Sequence, residues 1–319
     1  VSAVLVLGSY VQDHCWSTDT LPRPGESRIG RFSIGPGGKG FNQAVAAHRL
    51  GAPTRFFGAV GADALAQTAR TFAAAEGLPC EWFSTSVPTA ASSIIVDAAG
   101  RNQICVALGA NDALPMLAVE ALAMHFAAGA ILVTQLETAL APVAAALRAA
   151  RASGATTLLN PAPINALVDH QLIELADILT PNETEFCYLL EHLHGERIEL
   201  DPHAMDAASV HRACRRLCPA GTVVITLGDA GALVSHADAQ LRGDAQRCYL
   251  VPPAAVTAID TTGAGDAFSG ALAAALLDDR APAFEAMVRF ACKAAGLSTE
   301  RAGTAPAMPD RTELAARFG

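Results

Sequence analysis

Two hydrophobic rhythms alternate along most of this chain. Short apolar runs, bounded by turn residues, stand at 3–7, 54–59, 130–134, 156–160, 177–180, 222–226 and 232–235. Between them lie longer segments with apolar positions at i, i+3 and i+4, at 40–50, 63–76, 115–127, 138–153, 183–192, 206–218, 264–277 and 282–297. The short runs are too evenly apolar to leave one face in water, so they predict strands covered on both sides. The longer segments predict helices with one buried stripe. Their alternation predicts an α/β fold with a largely parallel sheet between two helical layers. Ligands of such sheets bind beyond the carboxyl ends of the strands.

Two regions break the rhythm. Residues 13–34 carry short alternating segments around Leu21-Pro22-Arg23-Pro24-Gly25-Glu26. In 91–108, Ser92-Ser93-Ile94-Ile95-Val96-Asp97 and Gln103-Ile104-Cys105-Val106-Ala107-Leu108 flank the turn Ala98-Ala99-Gly100-Arg101. Neither region has a helix to cover it. They predict one small antiparallel flap, built from two excursions of the main domain at about 11–36 and 89–108. Such a flap suits a lid, and its uncovered face suits pairing with a second copy in a homodimer. With no repeat or low-complexity linker, residues 1–319 read as a single domain.

Composition narrows the class. The net charge of −9 provides no electrostatic footprint for nucleic acid. No apolar run is long enough to span a bilayer, and the opening strand lacks the basic flank and cleavage site of a signal peptide. The eight cysteines are scattered. Cys214 and Cys218 share a predicted helix, but no second pair stands at metal-ligand spacing, so buried free thiols in a reducing cytoplasm are expected. His14 and the histidines between 192 and 211 read as surface residues. Lysine occurs only twice, as Lys39 and Lys293. That scarcity draws attention to Lys39, which sits inside a glycine cluster.

The most chemical stretch is Asp260-Thr261-Thr262-Gly263-Ala264-Gly265-Asp266. It lies between Ala255-Val256-Thr257-Ala258-Ile259, which predicts a short strand, and the helix at 264–277. A glycine turn entering a helix offers unpaired N–H groups and the positive end of the helix dipole to an anion. A carboxylate beside that anion site repels phosphate, yet it is useful if it takes a proton from a hydroxyl that attacks the phosphate. Asp266 is also well placed as a plain first-turn dipole partner, and this stretch alone leaves both readings open.

A second glycine cluster, Gly35-Pro36-Gly37-Gly38-Lys39-Gly40-Phe41-Asn42-Gln43-Ala44, also leads into a helix. Phe41-Asn42 stands where a Walker loop requires Lys followed by Ser or Thr, so a P-loop is excluded. Here the glycines would let backbone approach a polyhydroxylated ligand while Lys39 and Asn42 donate to its hydroxyls.

Eight motifs in order now resemble those of the PfkB family of carbohydrate kinases. They are Gly8-Ser9 with Asp13-His14, Gly38-Lys39-Gly40-x-Asn42-Gln43, Gln135-Leu136-Glu137, Asn160-Pro161-Ala162-Pro163, Thr180-Pro181-Asn182-Glu183-Thr184-Glu185, Thr226-Leu227-Gly228-x-x-Gly231, Asp260-Thr261-x-x-Ala264-Gly265-Asp266 and Gly303-x-x-Pro306. The resemblance runs through nearly the whole chain. It implies a ribokinase-like three-layer αβα sandwich with a mostly parallel central sheet and a small antiparallel β lid.

It also implies roles. Asp266 would deprotonate a sugar's primary hydroxyl, and Gly263, Ala264 and Gly265 would hold the transferring γ-phosphoryl of ATP. Asp13, Gly38, Lys39, Gly40, Asn42 and Glu137 would bind the sugar. Asn182 and Glu185 would orient Mg²⁺ through water. The nucleotide would lie along Thr226, Leu227, Gly228, Asp229, Ala230 and Gly231, with Cys292 near the adenine. A monovalent cation, K⁺, would be held by Asp260, Thr262, Ser298, Arg301, Gly303 and Ala307. Asn160 and Glu183 read as a strand-end residue and a solvated acid outside the site.

The implied reaction is ATP-dependent phosphorylation of D-ribose to D-ribose 5-phosphate, since Lys39 and Glu137 favour the branch acting on ribose. One departure affects the choice of sugar. The branch pattern has asparagine two residues after Gly-Ser, where this chain has Val11. Losing one hydrogen bond to a hydroxyl costs about 0.5–1.5 kcal/mol, unless Gln12 supplies it. That loss favours a deoxy-sugar, another pentose or a nucleoside as the alternative substrate. A catalytically silent sugar-binding protein on the same fold is the reading from another class, and the intact Asp266 stretch speaks against it.

Overall fold

The computed structural model describes residues 2–278 and 283–319. Among these residues thirteen strands form two sheets. They are β1 (Val4–Leu7), β2 (Val11–Thr18), β3 (Arg31–Gly37), β4 (Thr54–Val60), β5 (Cys80–Ser84), β6 (Ala91–Asp97), β7 (Asn102–Ala107), β8 (Ile131–Thr134), β9 (Thr156–Leu159), β10 (Ile178–Leu179), β11 (Thr222–Thr226), β12 (Ala232–Ser235) and β13 (Cys248–Val251). The helices are α1 (Lys39–Arg49), α2 (Ala64–Glu76), α3 (Leu117–Ala123), α4 (Leu140–Ala152), α5 (His170–Ile173), α6 (Glu183–His194), α7 (Ala207–Leu217), α8 (Ala264–Leu276), α9 (Phe284–Ser298) and α10 (Arg311–Phe318). Pro282, the first residue of the helix expected at 282–297, lies outside the described residues. Among those described, no helix is long and apolar enough to cross a membrane.

The large sheet runs β13-β12-β11-β10-β9-β8-β1-β4-β5. It is parallel from β11 to β5, while β12 and β13 are added antiparallel at one edge. Alternation along β1 shows why two helical layers are needed. Val4 and Val6 enter one apolar cluster with α1, α8 and α9, whereas Leu5 and Leu7 enter a second with α3, α4, α6 and α7. Each face of the sheet thus buries its own core, and the three-layer expectation holds.

The small sheet runs β3-β2-β6-β7. Each excursion is an antiparallel hairpin, but the seam between them, β2 against β6, is parallel. The flap is therefore mixed, because both excursions leave the main domain in the same direction.

Three sequence expectations need correction. Ala255–Ile259 forms no strand, and Ile259 is largely exposed. Its β-branched residues meet no partner edge. The helix expected at 115–127 is confined to Leu117–Ala123, and the strand at 177–180 to Ile178–Leu179. The periodicity also missed β5, β13, α5 and α10. In β5, Cys-Glu-Trp-Phe-Ser is half-buried and carries no β-branched residue.

Candidate active site

The parallel strands deliver their carboxyl ends to one cavity of about 140 Å³, lined among others by Lys39, Asn182, Glu185, Thr226, Gly263, Gly265 and Asp266. Asn160, following β9, and Thr180, following β10, complete the same wall. The fourfold convergence of strand ends, α1, α6 and α8 at one point is what a parallel sheet provides.

Asp266 lies in the first turn of α8 and is buried. Its position depends on Gly270, one turn further along. A Cβ on Gly270 would come within 2.4 Å of the Gln43 carbonyl and 2.7 Å of Ala46 Cβ. Only glycine lets α8 approach α1 so closely, and that approach brings α1's amides to the carboxylate. Asn42 Nδ2 donates to Asp266 Oδ2 at 2.9 Å, and Gln43 Nε2 donates to Oδ1 at 2.9 Å. Burial pushes the Asp266 carboxyl above its ordinary range, against the opposing pull of Lys39 and the two amides.

The glycine turn before α8 has the expected form. Gly263 caps the helix at φ 79°, a left-handed conformation that favours glycine. The Ala264 N–H is bound to the Thr261 carbonyl at 3.2 Å. Among the described residues, the Gly263 and Gly265 N–H groups have no partner, so two of the three expected donors are open.

Lys39 begins α1 and meets three acids. Burial works against its charge, but Asp266, Glu137 and Glu185 together outweigh it and hold its pKa above the ordinary lysine value. No carboxylate among the described residues lies within ion-pair distance of Nζ, and Lys39 lines the cavity. Glu137, after β8, accepts from Ser9 Oγ at 2.6 Å and from the Lys39 backbone N–H at 2.9 Å. It thereby caps α1, while Ser9 Oγ also receives the Gly40 N–H at 3.2 Å. Gly38 immediately precedes this helix.

Asp13 comes from the lid, on the inner face of β2. Ser92 Oγ donates to its Oδ1 at 2.6 Å and Thr304 Oγ1 to its Oδ2 at 3.3 Å. Burial raises its pKa, opposed by these two hydroxyls, and the Asp266 charge raises it further. The two acids therefore share one electrostatic neighbourhood.

Asn182 and Glu185 form a reciprocal cap on α6. Asn182 Oδ1 accepts the Glu185 N–H at 2.8 Å, and Glu185 Oε2 accepts the Asn182 N–H at 2.9 Å. Each still lines the cavity, and among the described residues the second Glu185 carboxylate oxygen has no hydrogen-bond partner. Burial raises the Glu185 carboxyl. Thr226 ends β11 at the cavity wall. Leu227 is buried, and Gly228–Ala230 make a short turn followed by Gly231. There Asp229 faces His203 at 3.3 Å on the surface. Cys292 lies in the core of α9, away from the cavity lining, with burial pushing its thiol up to about 12.

Asp260 ties two loops together. Its Oδ1 accepts the Thr262 N–H at 2.9 Å and its Oδ2 the Gly303 N–H at 3.0 Å. Ser298 ends α9, Ala307 ends a short helical turn, and the Arg301 guanidinium is paired with Glu313 at 2.9 Å.

Sequence and structure differ at several residues. Gln12, the other source of the hydrogen bond that Val11 is unable to make, is buried with both ends of its amide already bonded. Its Oε1 accepts from Tyr10 OH at 2.8 Å and its Nε2 donates to the Gly35 carbonyl at 2.7 Å. Val11 itself is buried opposite Gly37. Asn42, expected as a donor to the ligand, donates to Asp266, and its Oδ1 is a buried atom without a partner. Asn160, read as a strand-end residue, does bind the Thr180 carbonyl at 2.7 Å, yet it also lines the cavity. Glu183 is absent from that lining. Sequence reasoning gave no role to Ser9, Ser92, Gln43 or Thr304. Only Ser9 and Gln43 carried a signal, since both stand inside the quoted motifs.

The geometry can be compared with known proteins. Residues 2–311 match the family described as pfkB family carbohydrate kinase. The chain is 37% identical to a ribokinase of Haemophilus influenzae over 311 residues, covering 97% of this chain and 95% of that protein. It is 33% identical to a deoxyribokinase of Salmonella typhi over 276 residues, covering 85% and 84%. Among solved structures, a ribokinase of Giardia lamblia superposes with a TM-score of 0.84 at 26% identity, covering 99% of each chain.

Proposed function

The chain belongs to the PfkB family of carbohydrate kinases, and from that premise we propose that it phosphorylates D-ribose to D-ribose 5-phosphate with ATP. It is an ATP-dependent sugar kinase, a phosphotransferase with an alcohol acceptor. The observation that carries the mechanism is the pairing of a buried carboxylate, Asp266, with two open N–H groups in the turn that starts its own helix.

In this reading Asp13 and Lys39 seat the sugar hydroxyls, with Glu137 behind them fixing the start of α1. Asp266 accepts the proton of the primary hydroxyl as the oxygen attacks the γ-phosphorus, and ADP departs. The Gly263 and Gly265 N–H groups meet the charge on the transferring phosphoryl oxygens, with the α8 dipole behind them.

Glu185 and Asn182 suit Mg²⁺, since they are hard oxygen donors at the cavity wall. Among the described residues no group of three or more acids, histidines or cysteines could enclose a metal. That suits an ion that keeps its waters and phosphate ligands. When bound, Mg²⁺ would neutralise phosphate charge. We assign the nucleotide to the segment Thr226–Gly231, with Cys292 near the adenine. A K⁺ ion would fit the segments that Asp260 joins, with Thr262, Ser298, Arg301, Gly303 and Ala307 around it, and would stiffen the turn before α8. The eight free thiols suit a reducing compartment such as the cytoplasm.

Val11 favours a second reading, with 2-deoxyribose accepted nearly as well as ribose. The test is a coupled ADP-release assay over pentoses, deoxypentoses, hexoses and nucleosides, with and without K⁺. Val11→Asn is expected to raise the ribose-over-deoxyribose ratio of kcat/KM by about 2- to 12-fold. A protein that phosphorylates none of these sugars would overturn the assignment.

We assign the outer lid face to a second copy of the chain. Strand pairing places His14, Trp16, Phe32, Ile34 and Ile95 on the side opposite Asp13. Phe32 and Ile34 are 55% and 58% exposed, and the Trp16 and Phe32 rings pack 5.0 Å apart. An apolar face of this kind is costly to leave in water. Light scattering is expected to return a dimer mass, and Phe32→Glu with Ile34→Glu a monomer mass. A monomeric parent protein would refute the assignment.

A further inference from the structure

Behind Asp266 lies a chain of buried amides that the reaction itself does not require. Gln135, after β8, donates from Nε2 to Gln43 Oε1 at 2.6 Å. Gln43 in turn donates from Nε2 to Asp266 Oδ1 at 2.9 Å and to Asn160 Oδ1 at 3.3 Å. Both glutamines are buried. An ionised carboxylate only accepts hydrogen bonds, so Gln43 must turn its NH₂ toward Asp266 and its oxygen away. The Gln135 donor matches that orientation.

We propose that Gln43, oriented by Gln135, is the positioning residue of the base, holding Asp266 Oδ1 so that the carboxylate stays ionised and faces the cavity. The proposal rests on Asp266 being the base. Carboxylate–amide bonds favour the charged form, and a buried relay in a low-dielectric interior is worth more than the same bond in water. The other charged groups that face Asp266 are Lys39 from α1, Asp13 from the lid, Glu137 after β8 and Glu185 from α6. Among the described charged groups, only Lys39 opposes protonation. The Gln43 donor therefore acts in the same direction as the single cation.

Two variants and one control test this. In Gln43→Leu, kcat is expected to fall about 10- to 100-fold. The acidic limb of its pH profile should move to higher pH by about one unit. Ribose affinity measured by calorimetry should change by less than about threefold. In the protein without nucleotide or metal, the Asp266 carboxyl carbon followed by NMR should titrate at correspondingly higher pH. Gln135→Met leaves Asp266 untouched and should shift both titrations in the same direction by less, because only the orientation of Gln43 is loosened.

A purely structural role would lower Tm without moving either titration, and that result overturns the proposal. If Gln43→Leu does not fold, Gln135→Met decides alone. Asp266→Asn is measured alongside. Should it retain turnover, the reading of Asp266 as base fails. Should it be inactive while the Gln43 and Gln135 variants titrate like the parent, only the relay fails.

Discussion

Asp266→Asn is expected to lower kcat by about 10²- to 10⁴-fold, the usual worth of a positioned general base, while ribose binding changes by no more than a few-fold. The substitution keeps volume and removes only the ability to take a proton. Its amide also finds partners in place. Asn42 Oδ1 is buried without a partner, so turning the Asn42 side chain over lets that oxygen accept from the new amide. Gln43 continues to donate to the remaining oxygen.

Stability should move the other way. Burial raises the Asp266 pKa in the folded state above its unfolded value. A group raised in this way contributes stability below its unfolded pKa and loses it as pH climbs through the folded pKa. Above its folded pKa the parent protein therefore bears the cost of an ionised buried carboxylate, and the neutral variant does not. Its Tm at neutral pH is expected to equal or exceed that of the parent. Single-turnover kinetics, ribose calorimetry and thermal melts on one preparation check all three statements. An active variant, or one that has lost ribose binding along with turnover, would remove Asp266 from the role of base.

Much of this site was legible because its parts are local. Gly263 to Asp266 are consecutive, so the glycine turn and its first-turn carboxylate are read together in one window, although that window alone leaves an anion site and a plain helix cap both open. The strand–helix rhythm likewise foretold the three layers, since each prediction needed only a window of residues. The missing parts are those made by distant chain segments. Gln43 and Asp266 are 223 residues apart and meet only because Gly270 lets two helices close on each other. Nothing in a window around Gly270 distinguishes it from an ordinary small helix residue.

Ser9 and Glu137, 128 residues apart, pose the same problem. Gln12 errs in the opposite direction. As a polar neighbour of Val11 it looks free to bind a sugar hydroxyl, but both ends of its amide are committed within the lid. The failed strand at Ala255–Ile259 follows the same rule, since β-branched residues favour a strand only where a neighbouring edge accepts it. Propensity and motif are readable along the chain, whereas the pairing that occupies or frees a polar group is not.

Lys39→Met carries the second large expected effect, and its signature is a pH shift as much as a rate loss. Lys39 is the cation common to three buried acids. Burial raises Asp266, Glu137 and Glu185, and in each case the Lys39 charge acts to lower them again. With methionine the stem volume is kept and the charge is gone. All three carboxyls then rise further, and the base stays protonated to a higher pH. The acidic limb of kcat/KM should move to higher pH, and kcat/KM near neutrality should fall about 10²-fold, the worth of one charged hydrogen bond to the sugar together with the smaller ionised fraction of the base.

Lys39→Arg separates the two contributions. It keeps the charge, so the limb should return most of the way, but a planar guanidinium does not reproduce a compact ammonium donor and KM should stay high. Stability gives an independent sign. These acids have folded pKa values above their unfolded ones, so their contribution is lost as pH rises from the ordinary carboxylate range toward neutrality. Without Lys39 to counter that loss, the Tm of Lys39→Met should fall more steeply over this interval than that of the parent. A methionine variant with the parent's pH limb and melting profile would mean that Lys39 holds neither the base nor the acids around it.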